Sequence, residues 1–81
     1  MNRYFFHIRR SDGNVFDEEG DECANVEDAR NNAFDAVREL IAAQIKSGVA
    51  ISDAHMDVHN EAGTLQFSPS FHAIIQEQLK K

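Results

Sequence analysis

Cysteine, proline and tryptophan are almost missing from this chain: one Cys, one Pro and no Trp in 81 residues. A single thiol, Cys23, excludes an intrachain disulfide, so the fold is not a cross-linked scaffold. One thiol and no signal peptide predict a reducing compartment, the cytoplasm. The N-terminal apolar run Tyr4-Phe5-Phe6 is broken at once by His7, Arg9 and Arg10, which is too short for a secretory segment. No stretch approaches the ~18 apolar residues of a membrane span. Positive charge is scarce as well. Eight Lys and Arg stand against fourteen Asp and Glu, a net charge of −6 at pH 7. The cations are scattered, with Arg3, Arg9 and Arg10 early, Arg30 and Arg38 mid-chain, and Lys80 and Lys81 at the end. A polyanion is bound by a basic stripe or a net basic surface, so this balance points away from nucleic acid.

The chain reads as a single domain over residues 1–81. A chain this short buries only about 60–65% of its unfolded surface, so its stability margin is thin and pairing with a second copy is one remedy.

Residues 3–10 alternate, with Tyr4, Phe6 and Ile8 on one face and Phe5, His7 and Arg9 on the other. Period two with aromatic and β-branched residues predicts a strand. Asp12-Gly13 predicts a two-residue hairpin turn, which sets Arg9 opposite Phe16 in a second strand over 14–17. Phe16 then joins the Phe5/His7/Arg9 face, and Val15 the other. Residues 17–22 read as an acidic loop.

A helix is predicted from Asn25 as N-cap, with Glu27 and Asp28 in a first turn that favours negative charge. Val26, Ala29, Ala33, Val37, Leu40 and Ile41 form its apolar stripe, and Gly48 is the left-handed stop. Arg30 on the stripe's flank and Gln44 near its centre fit that stripe poorly. After a connector at 49–52, Ala54, Met56 and Val58 alternate with His55, Asp57 and His59. Pairing Asn60 with Leu65 across a turn places Val58 opposite Phe67, so that Leu65 shares the Met56/Val58 face. Ser68-Pro69 reads as N-cap and first residue of a second, shorter helix carrying Phe71, Ile74, Ile75 and Leu79, with Lys80-Lys81 at its negative end. The element order is ββαββα. It implies an α+β fold: an antiparallel sheet of two hairpins, one long helix packed on one face and a short C-terminal helix.

The run Arg3-Tyr4-Phe5-Phe6-His7-Ile8-Arg9, the turn Asp17-Glu18-Glu19-Gly20 and the spaced Ala29 and Ala33 resemble a family of short alphaproteobacterial proteins, of rhizobial type, built on a domain of unknown function. The resemblance covers about residues 3–67. It implies a small stand-alone domain in a bacterial cytoplasm, and it carries over no catalytic residues.

The face opposite the main helix gathers the candidate functional residues: Phe5, His7, Arg9, Phe16, His55, Asp57 and His59, with Gln66 beside them. Phe5 and Phe16 are large apolar groups on a side the main helix does not cover. Either the C-terminal helix folds over them or a partner does, and a second copy would pack there isologously. The alternative for the same face is a metal site from His7, His55, Asp57 and His59. Neighbours two residues apart on a strand lie about 6.6–7 Å apart and can share an ion, whereas His55 and His59, about 13 Å apart, cannot without a bend. The acidic loop does not match a calcium-binding loop. Cys23 lies beside carboxylates that disfavour its thiolate. No nucleophile motif, paired-cysteine motif or glycine-rich phosphate loop occurs. The expected function is therefore that of a non-enzymatic interaction module without a cofactor. Its expected partner is a second copy or another protein, with metal binding the alternative.

Overall fold

The computed structural model describes residues 1–51 and 53–79. Ser52, in the expected connector, and the basic end Lys80-Lys81 lie outside the described residues. The alternation at the N-terminus produces the longest strand, β1 (Asn2–Arg10), and β1 organises the sheet. The sheet has five strands and is antiparallel: β2 (Gly13–Val15), β1, β4 (Ala54–His59) and β5 (Leu65–Phe67) lie in that order, while β3 (Asp21–Cys23) also pairs with β1. The α+β architecture expected from the alternating and helical periodicities is the one observed.

The first hairpin corrects the expected register. Arg10 pairs with Gly13, Arg9 with Asn14 and Ile8 with Val15, so Ser11-Asp12 form the turn and Arg9 does not face Phe16. Among the described residues only glycines take positive φ, so Asp12 does not occupy the left-handed place that an Asp-Gly turn needs, and Gly13, at φ 140°, begins the strand instead. The slip is two residues, and a slip of two leaves every side chain on its face.

Past Val15 the chain leaves β1, and Asp17 bridges the gap. Its Oδ2 accepts from the Phe6 N–H at 3.2 Å, its Oδ1 from the Gly20 N–H at 3.0 Å, and its own N–H donates to His7 Nδ1 at 3.0 Å. Gly20 then passes tightly over β1: at φ 70°, a Cβ there would lie 2.7 Å from the Tyr4 carbonyl oxygen. This brings Asp21–Cys23 onto the edge of β1, with Asn2 opposite Cys23 and Tyr4 opposite Asp21. The acidic stretch is thus only partly a loop. Asp-Glu-Cys has no strand propensity of its own; its pairing comes from the unsatisfied backbone edge of β1.

Helix α1 (Val26–Lys46) starts as expected, with Asn25 Oδ1 accepting from the Asp28 N–H at 2.8 Å. It ends in a Schellman closure around Gly48, whose N–H reaches the Ile45 carbonyl while the Val49 N–H reaches that of Gln44. Ala29, Ala33, Val37 and Ile41 are buried against the sheet, and Val26 and Leu40 lie at the exposed margins of the stripe. The poorly fitting Arg30 stacks its guanidinium 5.3 Å above the Phe34 ring. Gln44 keeps a buried Oε1 without a hydrogen-bond partner.

Ala54, Met56 and Val58 of β4 face this helix and are buried, as their spacing predicts. The second hairpin departs in part. Val58 pairs with Phe67 as expected, but a bulge at Gln66 sets Leu65 opposite His59, on the face away from Val58. Helix α2 (Phe71–Gln78) is capped by Ser70, whose Oγ accepts from the Ala73 N–H at 2.9 Å, rather than by Ser68. Pro69 is still extended, its carbonyl accepting from the Met56 N–H at 3.0 Å, so the chain follows β4 before it turns helical. Phe71 and Ile74 enter the same core as Val37, Met56 and Val58. Helix α2 therefore lies beside α1, and the other face of the sheet is left open. The result is a two-layer slab with extents of 36 × 31 × 17 Å.

Candidate functional site

The open face is laid out by strand pairing. Phe5, His59 and Leu65 form one row across β1, β4 and β5; His7 and Asp57 form the next, and Arg9 and His55 the one after. Every residue of β1 and β4 that the alternation placed on this face is there. Phe16, just beyond β2, joins it through its ring contact with His7.

The rows grade from aromatic to ionic. His7 is the hub of the aromatic part. Its ring stacks on Phe5 at 6.4 Å, meets Phe16 edge-on at 5.6 Å and lies 5.2 Å from His59. Because His7 Nδ1 accepts the Asp17 N–H, the neutral imidazole carries its proton on Nε2. The His59 Nδ1 is enclosed by its neighbours with no hydrogen-bond partner. Phe5, His7 and His59 are half-buried by one another, whereas Phe16 is 67% exposed and Leu65 52%.

At the ionic end Arg9 grips Asp57, Nε to Oδ2 at 2.8 Å and Nη2 to Oδ1 at 3.3 Å. Ser68 Oγ donates to the same Oδ1, and Arg9 Nη2 also reaches Ser68 at 3.3 Å. The hydrogen bond from Arg9 holds the Asp57 carboxyl below its ordinary range, against the opposing effect of its partial burial. The same pairing raises Arg9 above its ordinary value.

The metal-ligating alternative gains no geometric support. His7 and His59 are adjacent, but Asp57 is engaged by Arg9 and Ser68, and His55 stands across from Arg9. Among the described residues no group of three His, Cys, Asp or Glu side chains comes together as a metal-holding set. Cys23 is fully buried beneath the other face, and burial, more than the neighbouring carboxylates, pushes its thiol up. Asn32 Nδ2 donates to its sulfur at 3.5 Å.

Sequence reasoning missed Asp17, Leu65 and Ser68 as parts of this site. Asp17 carried a signal, since an Asp three residues before a glycine is a common side-chain-to-backbone turn. Leu65 carried none, because the bulge that turns it outward is a property of the pairing. Gln66, expected on this face, falls within the bulge, where its Nε2 donates to the Thr64 carbonyl at 3.1 Å. No helix among the described residues is long and apolar enough to cross a membrane.

A family model matches residues 3–72, and its description is Domain of unknown function (DUF6894). No curated protein and no solved structure gives a significant match.

Proposed function

The chain belongs to that family of domains of unknown function, and on this premise we propose that it is a non-enzymatic interaction module acting through the open face of its sheet. One observation carries the reading: the Phe5–His7–Phe16–His59 ring cluster lies on the side that neither helix covers, with Phe16 67% exposed. A large ring set edge-on against a half-buried ring, and open to solvent, is the kind of group that anchors a binding hot spot. The ionic end supports binding over chemistry, because Arg9 and Asp57 neutralise each other and leave neither group free to act on a substrate. The buried thiol of Cys23 fits a reducing bacterial cytoplasm, the setting that the alphaproteobacterial resemblance implies. Metal binding by His7, His55, Asp57 and His59 has no comparable observation behind it.

The test is site-specific photo-crosslinking in the producing cell. A crosslinker at position 16 is expected to yield a discrete protein adduct. The same group at Glu39, on the outer surface of α1, is expected to yield none. No discrete adduct from position 16, or the same adduct from both positions, would overturn the reading.

A further inference from the structure

Phe16, the exposed ring of the open face, follows the last residue of β2 and has no strand partner of its own. Asp17 beside it holds the segment onto β1 in two chemically different ways. Its carboxylate accepts from the Phe6 and Gly20 N–H groups, bonds that do not involve an imidazole. Its N–H donates to His7 Nδ1 at 3.0 Å, a bond that needs His7 to be neutral. Arg3 ties the far end of the segment, Nη1 to the Glu19 carbonyl at 2.7 Å and to the Gly20 carbonyl at 3.3 Å, and a guanidinium keeps its charge throughout the physiological range. Of these ties, the one to His7 is the one that a proton on an imidazole breaks.

A proton taken up by His7 must go to Nδ1, since Nε2 already carries one. Two N–H groups then face each other, and the Asp17 N–H loses its acceptor. The groups around the ring offer the new N–H no free acceptor. On the segment itself the Asp17 carboxylate is engaged by Phe6 and Gly20, and Glu18 and Glu19 are exposed to solvent. On β4, Asp57 stands opposite His7 but is held by Arg9 and Ser68. His59, with its ring 5.2 Å away, is a second imidazole that adds like charge when it too is protonated, and His55 stands one row further on, opposite Arg9. On β1 the same-face neighbours are Phe5 and Arg9, and β2 (Gly13–Val15) contributes no titratable side chain.

We propose that the Asp17 N–H and His7 Nδ1 form a proton-released clasp, closed while His7 is neutral and opened when it takes up a proton, so that residues 16–18 leave β1. This rests on reading the open face as an interaction surface, and it names the regulation of that surface. Closed, the clasp keeps Phe16 edge-on against His7 at 5.6 Å and the ring cluster is whole. Open, it lets Phe16 leave the cluster, while Arg3 retains Glu19 and Gly20 and β3 stays paired with β1. The surface is complete at neutral pH and loses its exposed anchor as the pH falls through the imidazole range, between about 8 and 5.

The experiment is nuclear magnetic resonance of the ¹⁵N-labelled chain between pH 7.5 and 5. The ring nitrogen shifts of His7 report its tautomer and its charge, and amide exchange reports the Asp17 N–H. At neutral pH the Nε2–H tautomer and a protected Asp17 amide are expected. The protection factor is expected to fall about tenfold or more in step with the charging of His7, and the Phe16–His7 ring contact to be lost with it. His7→Asn supplies an acceptor oxygen in place of Nδ1 and does not titrate, so it is expected to keep the amide protected throughout. His59→Asn is expected to leave the transition in place. An Asp17 amide that stays protected beside a charged His7, a His7 that stays neutral until the chain unfolds, or a transition that persists in His7→Asn would overturn the proposal. Should His7→Asn not fold, the first two outcomes, read on the unaltered chain, still decide it. Failure here is separable from failure of the broader reading. A clasp that stays shut around a charged His7, in a chain whose position 16 still crosslinks to a protein, loses the regulation and keeps the interaction module.

Discussion

The two sides of the sheet are built from alternate residues of the same strands, β1 and β4, yet they have little in common. On the covered side Tyr4, Met56 and Val58 are 6% exposed or less, and they pack with Val37, Ile41, Phe71 and Ile74 from the helices. On the open side Phe5, His7 and His59 are only half-buried, Arg9 and Asp57 hold each other, and Phe16 and Leu65 are mostly exposed. The first side is mostly aliphatic and satisfied by burial alone. The second mixes rings, imidazoles and an ion pair, groups that also make directional contacts. The difference teaches that fold and function are separated here by a single period of two. Substitutions on one side should be read out as stability, and on the other as association.

That separation makes graded predictions. The largest effect belongs to the covered side. Met56→Ala removes a core side chain that is 3% exposed and should destabilise by about 2–5 kcal/mol in urea titrations. Next comes the seam between the sides. Gly20→Ala adds a Cβ facing the Tyr4 carbonyl at 2.7 Å in a left-handed conformation. It should cost about 1–3 kcal/mol, whereas Gly63→Ala, with open space around its Cβ, should cost less.

The ion pair on the open side should give a pH dependence confined to acid. Arg9 holds the Asp57 carboxyl low, so the stability it confers is complete above the unfolded carboxylate value of about 4 and drains away as the pH falls through the depressed folded value. Asp57→Asn should therefore flatten the fall in urea midpoint below about pH 4, and a profile identical to wild type would remove Asp57 from the account. The smallest effect on stability is expected at Phe16. In dilute solution Phe16→Ala should shift the monomer by no more than about 0.5 kcal/mol, the ordinary range for an exposed position. A loss approaching that of Met56→Ala would erase the distinction between the two sides.

Much of this was legible before any coordinates. The face assignments of Phe5, His7, Arg9, His55, Asp57 and His59 followed from alternation, and Phe16 kept its face even though the hairpin slipped by two. The Asn25 cap and the Gly48 stop were legible because capping is chemistry within one turn. The strand at Asp21–Cys23 was not, since its residues have no strand propensity and its partner edge lies about twenty positions away in sequence. The bulge at Gln66 and the true cap at Ser70 were also hidden. Each depends on how long the chain remains hydrogen-bonded to β4 before it leaves, and not on local preference.

The sequence by itself determined which residues of β1 and β4 share a side, because a strand's side-chain period is two and a local window contains the whole of that period. Only the tertiary structure decided which side would be covered. Phe71 and Ile74 carry α2 to the side of α1, where they complete a core already begun, and Asp17 and β3 close the free edge of β1 because its backbone groups need partners. Both choices follow from buried apolar area and hydrogen-bond satisfaction summed over distant segments, and no short stretch of the chain contains those sums.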